Sequence, residues 1–142
     1  MAKVRYGERV ANQVTAEQLQ AAWSAGVAAV EKSLKREQKL VEQEQWLQRN
    51  TSHPDYLSYL SRVTVNRDVW YVEYVDPMYQ AAAAFERAVQ RAGPEMETAV
   101  RDIHPYAVHG AQGLHELHRD RALELGLPSS SIDTFSEADL PF

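Results

Sequence analysis

A long run without proline, residues 15–50, constrains the fold of this chain more than any other feature. Thr15 and Gln18 occupy the two positions of a capping box, so we predict that a helix begins there. At 1.5 Å per residue, a helix over this run is roughly 50 Å long, which exceeds the diameter of a domain of this size. Part of the helix is therefore expected to protrude or to contact another subunit.

The apolar residues of this run form one stripe along the predicted helix. The stripe consists of Leu19, Trp23, Val27, Val30, Leu34 and Val41. Glu37 and Glu44 stand where further apolar residues would continue it. We therefore expect the first half of the helix to be buried and the second half to be a solvated or partner-facing arm.

The chain length of 142 residues is typical of a single domain. We predict an N-terminal arm over residues 1–14, one helical domain over residues 15–126, and a flexible or partner-docking tail over residues 127–142. The tail is polar and acidic, with a few spaced apolar residues. Such a segment either stays free in solvent or docks its apolar residues on a partner.

Composition excludes several classes of protein. The formal net charge of −5 argues against binding nucleic acid by phosphate neutralisation, which needs clustered Lys and Arg. The absence of cysteine excludes disulfides, thiolate metal sites and cysteine nucleophiles. The first ten residues lack the apolar core of a signal peptide, and no window is apolar enough to span a bilayer. We expect a cytoplasmic protein that has no membrane partner.

Residues 63–75, VTVNRDVWYVEYV, are rich in valine and aromatic residues, unlike the rest of the chain. Apolar and polar residues alternate after Asp68, and Asn66, Arg67 and Asp68 favour a turn. This pattern predicts a β-hairpin at about residues 63–75. Because two strands alone are marginally stable, we expect the hairpin to pack on the first helix and to meet a neighbouring chain with its other side.

The remaining pattern predicts helices. Asp76 and Pro77 look like the N-cap and first turn of a helix that ends at Gly93, and a shorter helix is predicted over residues 95–103. A last helix is predicted over residues 106–125, closed by Gly126. The predicted fold is α+β and mostly helical. It has a long N-terminal helix packed with a small β-hairpin, two or three further helices and an extended C-terminal tail.

Three groups of residues are candidates for chemical sites. His115 and His118 lie three residues apart on the last predicted helix and can face one metal ion, although the dense ligand pattern of zinc enzymes is missing. Glu73 and Asp76 can form an acid–base pair beside the tyrosines. The seven tyrosines and three tryptophans can form a stacking platform for single-stranded nucleic acid. In each case an ordinary structural role is favoured, and we predict no catalytic, cofactor or metal residues and no cofactor.

The order of elements resembles the small tail-completion or neck proteins of long-tailed bacteriophages, over roughly residues 15–92. The resemblance is carried by the long first helix, then PDYLSYLSRVTV, then DVWYVEYVDP, then MYQAAAAFERAV. It implies a non-enzymatic structural protein of the virion, assembled in the host cytoplasm. Its subunits are expected to form a homo-oligomeric ring with other virion proteins, and DNA passes nearby without specific binding.

The residues expected at the subunit or partner interface are Trp70, Tyr71, Tyr74, Phe135, Leu140 and Phe142. Two alternatives stay open. One is a cytosolic regulatory adaptor that uses residues 31–49 as a coiled coil. The other is a small metal-dependent enzyme that uses His115 and His118.

Overall fold

A computed structural model describes residues 14–129, which are 88% helical and contain no strand. Five α-helices are joined by short 3-10 segments and one π-helical turn. Their bounds are α1 Ala16–Arg49, α2 Tyr56–Trp70, the π turn Tyr71–Val75, α3 Asp76–Ala92, α4 Glu97–Ile103 and α5 Ala111–Leu125. Within residues 14–129, no helix combines the length and the apolar composition needed to cross a membrane.

The prediction for α1 is confirmed, including its capping box. The Thr15 side chain accepts a hydrogen bond from the Gln18 amide at 3.1 Å, and the Gln18 side chain accepts one from the Thr15 amide at 2.9 Å. These two bonds satisfy amide groups that have no partner inside the helix. The helix ends at Arg49, beside Asn50, as the sequence pattern indicates.

The predicted β-hairpin, and with it the α+β class, is wrong. Residues 56–92 form one continuous helical rod, made of α2, the π turn and α3. The alternation of valine and tyrosine that favours a strand is outweighed by packing, because α2 lies along α1 and places Trp70 in the core. A strand preference of this kind depends on its tertiary surroundings more than on the backbone itself.

The π turn has a clear geometric role. Trp70 and Val75 both face the core but stand five residues apart, which an α-helix would place on different faces. A π turn accommodates one additional residue, so the core positions of α2 and α3 stay on the same side. The prediction that Asp76 caps the beginning of a helix is therefore wrong. Although α3 is counted from Asp76, this residue has helical backbone angles and lies inside the continuous rod. The wider turn also helps to accommodate Pro77, which lacks the donor for a regular helix bond.

Helix α1 is the central element, since α2, α3, α4 and α5 all contact it. One apolar cluster surrounds its first half and contains Trp23 and Phe85, whose rings meet edge to face at 5.1 Å. A second cluster surrounds its middle and contains Leu34, Trp70 and Met78. The predicted end of the last helix is confirmed, since α5 ends at Leu125 and Gly126 adopts the left-handed conformation that closes it. Its predicted start at residue 106 is wrong, because the 3-10 segment Pro105–His109 and Gly110, which has a φ of 62°, precede Ala111.

The second half of α1 is covered by α2 rather than solvated on all sides. Leu40 and Leu47 are buried, and Glu37 is 0% exposed. The Glu37 carboxylate accepts a hydrogen bond from Arg67 at 3.2 Å, and it also accepts bonds from the amide and hydroxyl of Ser129. Arg67 bonds to Glu44 as well. One ionic network therefore joins α1, α2 and the segment that follows α5.

We predict that Arg67→Leu lowers the free energy of unfolding by about 3 kcal/mol, because it leaves the buried Glu37 carboxylate without its cation. Chemical denaturation of the purified protein measures this change. Arg87→Leu is the matched control, since Arg87 is an exposed arginine on α3, and it is expected to change stability by less than about 0.5 kcal/mol. Equal effects of the two substitutions would contradict the role assigned to the network.

Candidate interaction surface

The predicted interface residues do not share one surface. Trp70 is buried in the core, where its indole nitrogen donates a hydrogen bond to the Ser33 carbonyl at 2.8 Å. Tyr71 is exposed, and Tyr74 is half-buried next to the second apolar cluster. Phe135, Leu140 and Phe142 lie outside the described residues. Of this set, only the tyrosines offer surface to a partner in the described structure.

The part of α2 and of the π turn that α1 leaves uncovered carries exposed apolar residues, and we call this surface the outer face. Leu57 is 76% exposed, Val65 55% and Val72 62%, and all three are bulky apolar side chains. The full outer face consists of Leu57, Leu60, Val65, Val69, Tyr71 and Val72. These are six of the ten exposed large apolar residues among residues 14–129. Such a concentration on one helical rod is typical of an interaction surface.

Two charged residues border the outer face. Arg62 lies over the Tyr59 ring, with its guanidinium carbon 5.9 Å from the ring centre, and Asp68 is exposed six residues further along the chain. Neither residue forms an ion pair with any residue in 14–129. Asp68 is therefore available to a partner that covers the outer face, whereas Arg62 lies towards the groove between α1 and α2.

An aromatic cluster lies where the C-terminal end of α1 meets the N-terminal end of α2. The rings of Trp46, His53 and Tyr59 are each 5.5 Å from the other two, measured between ring centres. Beside them, a groove of about 280 Å³ runs between α1 and α2, and Arg62 is one of the residues that line it. The cluster packs the two helix ends against each other and thereby supports the outer face.

On α5, His115 is half-buried and His118 is buried in the core. His118 is 1% exposed, and burial together with the neighbouring His115 lowers its pKa from 6.5 to about 4. Burial also lowers the pKa of His115, whose ring packs on Tyr79 at 5.0 Å. Among residues 14–129, no group of three or more His, Cys, Asp or Glu residues is arranged to hold a metal ion.

The other two groups weighed as chemical sites are also dispersed. Glu73 and Asp76 are both exposed, on the π turn and at the start of α3, and no hydrogen bond joins them. Of the aromatic residues that were candidates for stacking on nucleic acid, Trp70 is buried and Tyr74 is half-buried. In the described part of the chain, Trp70 and Tyr74 are therefore not on an open surface to which a base could stack.

The outer face was not predicted from the sequence, although a signal for it exists. In residues 56–72 apolar side chains occur on every side of the helix: Tyr59, Val63 and Trp70 face α1, whereas Leu57 and Val72 face solvent. A helix that is apolar all round is normally covered on both sides. The signal is readable only when the segment is recognised as a helix.

The segments that carry the resemblance to phage neck proteins are helical in this structure. PDYLSYLSRVTV begins at the turn before α2 and lies mostly within it, and DVWYVEYVDP covers the end of α2, the π turn and the first residues of α3. Comparison of the chain with protein-family models, curated proteins and solved structures finds no match. The resemblance stays a prediction.

We predict that stability falls as the pH is lowered from about 6.5 towards 4. In this range the unfolded His118, with an ordinary pKa of 6.5, binds a proton that the folded, buried imidazole does not bind. Acidification therefore favours unfolding, by about 3 kcal/mol across the whole interval.

Denaturation curves measured at several pH values test this prediction. His118→Leu removes the titrating group, so its stability is expected to depend less steeply on pH between 6.5 and 4 than that of the wild type. Identical slopes for the two proteins would show that the proton uptake occurs elsewhere.

Proposed function

We propose that this chain is a structural assembly protein that binds further copies of itself through the outer face of α2. The observation that supports the proposal is the exposure of six large apolar residues along one helix that is already anchored on its inner side. Full burial of a side chain such as Leu57 contributes about 1.5–3 kcal/mol. A second chain that covers this face therefore removes a substantial cost of exposure.

In the specific form that we propose, the subunits form a ring at the neck or tail of a phage particle, together with other virion proteins. This form is supported by the sequence resemblance over residues 15–92. It is also supported by the exposed apolar residues of the outer face, which a neighbouring subunit would cover. Repeated contacts between subunits close into a ring when the rotation between neighbours permits it. Such a protein would be assembled in the host cytoplasm, and DNA would pass near it without specific binding.

The coiled-coil adaptor is less well supported than the assembly protein. It requires residues 31–49 to present an apolar seam to another chain, but Leu34, Leu40 and Leu47 of this segment are buried within the same chain.

The metal-dependent enzyme is also less well supported. It requires His118 to be accessible as a ligand, whereas this side chain is buried in the core.

We predict that the double variant Leu57→Lys/Val72→Lys weakens self-association at least about a hundredfold, because each lysine must lose hydration when the outer face is covered. Light scattering over a range of concentrations measures the association. The secondary structure and stability of the isolated chain are expected to be preserved, since both positions are exposed.

The matched control is Val108→Lys/Leu123→Lys, which introduces the same two changes at exposed positions in the 3-10 segment after α4 and on α5. This control is expected to associate like the wild type. The proposal would be overturned by a wild-type chain that stays monomeric at high concentration, or by association that both double variants reduce equally.

A further inference from the structure

We infer that residues 130–142 bind to their own chain and cover one side of the rod, which we call the flank. The flank consists of Leu60, Thr64 and Arg67 of α2 and of Tyr71, the first residue of the π turn. Residues 130–142 lie outside the described residues, and their binding place is inferred from the course of the chain up to Ser129. The inference does not rest on the proposed function, because the contact lies within one chain.

The four residues of the flank lie on one side of the rod. They recur at intervals of four, three and four residues, which place side chains above one another on a helix. The Tyr71 amide bonds to the Arg67 carbonyl, so this spacing is kept where the π turn begins. Leu60 is 39% exposed and Tyr71 is 43% exposed. Residues 14–129 therefore leave an apolar stripe uncovered on this side.

The described chain reaches the flank at Ser129. The Ser129 amide and the Arg67 guanidinium both donate to the same oxygen of Glu37, Oε2, at 3.2 Å each, so these two donors lie side by side. The Ser129 hydroxyl donates to the other Glu37 oxygen, and Ser129 is buried. Residue 130 therefore begins next to Arg67, at one end of the flank.

The direction of the chain at Ser129 follows from two contacts with α1. Arg121 of α5 donates to the Glu31 carboxylate, and Ser129 donates to Glu37. From Arg121 to Ser129 the chain therefore advances along α1 towards the C-terminal end of this helix. A chain that keeps this direction beyond Ser129 runs along the second half of α1.

Helix α2 runs antiparallel to α1, so the same direction leads along the flank from Arg67 to Leu60. Arg67 bonds to Glu37, whereas Tyr59, the residue before Leu60, packs on Trp46 with 5.5 Å between the ring centres. From Arg67 to Leu60 the helix spans about 10 Å. Residues 130–142 reach roughly 40 Å if extended and roughly 20 Å if helical, so they are long enough in either conformation.

The segment carries apolar residues at positions that suit the flank. Ile132 and Phe135 follow Ser129 by three and six residues, which span at most about 10 and 20 Å. Both are therefore within reach of Thr64 and Leu60. Each such contact removes apolar surface of both partners from water, which offsets the entropy lost when the segment is ordered.

The flank is separate from the valines of the outer face. Val65, Val69 and Val72 recur at intervals of four and three residues on another side of the rod, and each is exposed. A second copy that covers these valines leaves the flank free for residues 130–142. The contact within the chain and self-association can therefore exist together.

A single cysteine on the flank tests the inference, because the chain has no cysteine of its own. Thr64→Cys places a thiol in the middle of the flank and keeps the apolar residues on both sides of it. Ile132→Glu/Phe135→Glu, which we call the acidic variant, prevents the segment from covering the flank, since each carboxylate would lose hydration there. We predict that N-ethylmaleimide modifies Thr64→Cys about fivefold faster in the acidic variant, as measured by mass spectrometry.

Two controls separate this contact from general effects. Thr134→Glu/Ser136→Glu adds the same charge at neighbouring polar positions, and it is expected to leave the reaction rate of Thr64→Cys unchanged. Val69→Cys carries its thiol on another side of the rod. Its reaction rate is expected to be the same with and without the acidic variant.

Each outcome has a definite meaning. Equal rates for Thr64→Cys with and without the acidic variant would overturn the inference, and so would equal acceleration at Val69→Cys. Shielding of Thr64→Cys that increases with protein concentration would show that the segment covers another copy, which also overturns it. Light scattering on the same samples tests the proposed function separately. A chain that stays monomeric but shields Thr64→Cys contradicts the proposed function and supports the inference.

Discussion

The packing of α2 and α3 on α1 is the interaction on which the rest of this structure depends. Trp70 is only 1% exposed, and it anchors the rod at the point where α2 passes into the π turn. Its indole donates to the Ser33 carbonyl, while the Arg67 guanidinium lies 5.0 Å from its ring and bonds to Glu37. Apolar contact, a hydrogen bond and an ionic network therefore act on the same short segment.

The π turn connects this core to the outer surface. Because it accommodates one additional residue, Trp70 and Val75 both face α1, and the exposed Tyr71 and Val72 between them face outward. The turn thus separates a buried side of the rod from an apolar side that the single chain leaves uncovered. Single π turns in helices occur frequently at functional positions, and this one contributes Tyr71 and Val72 to the surface to which we assign self-association.

Local signals predicted the parts of the fold that depend on nearby residues. The capping box at Thr15 and the glycine after Leu125 were both correctly interpreted, because each acts within a few residues of the helix end. The rod over residues 56–92 was missed for two reasons. Its apolar residues alternate as in a strand, and the helical spacing shifts by one residue between Trp70 and Val75.

The remaining features depend on contacts that are distant in sequence. Glu37 interrupts the apolar stripe of α1, and its partners Arg67 and Ser129 lie 30 and 92 residues further along the chain. Without the fold, an acidic residue at this position indicates a solvated arm rather than a buried ionic network. The outer face was missed for a related reason, since Val65 and Val69 were assigned to strands of a hairpin that does not exist.

The most direct test of this account is an NMR measurement of backbone conformation over residues 56–92 of the full chain. The account predicts helical Cα secondary chemical shifts without interruption from Tyr56 to Ala92, with contacts between successive amide protons through the π turn Tyr71–Val75. Extended-chain shifts over residues 63–75, accompanied by cross-strand contacts, would contradict it. They would show that the segment is a hairpin and would remove the helical outer face.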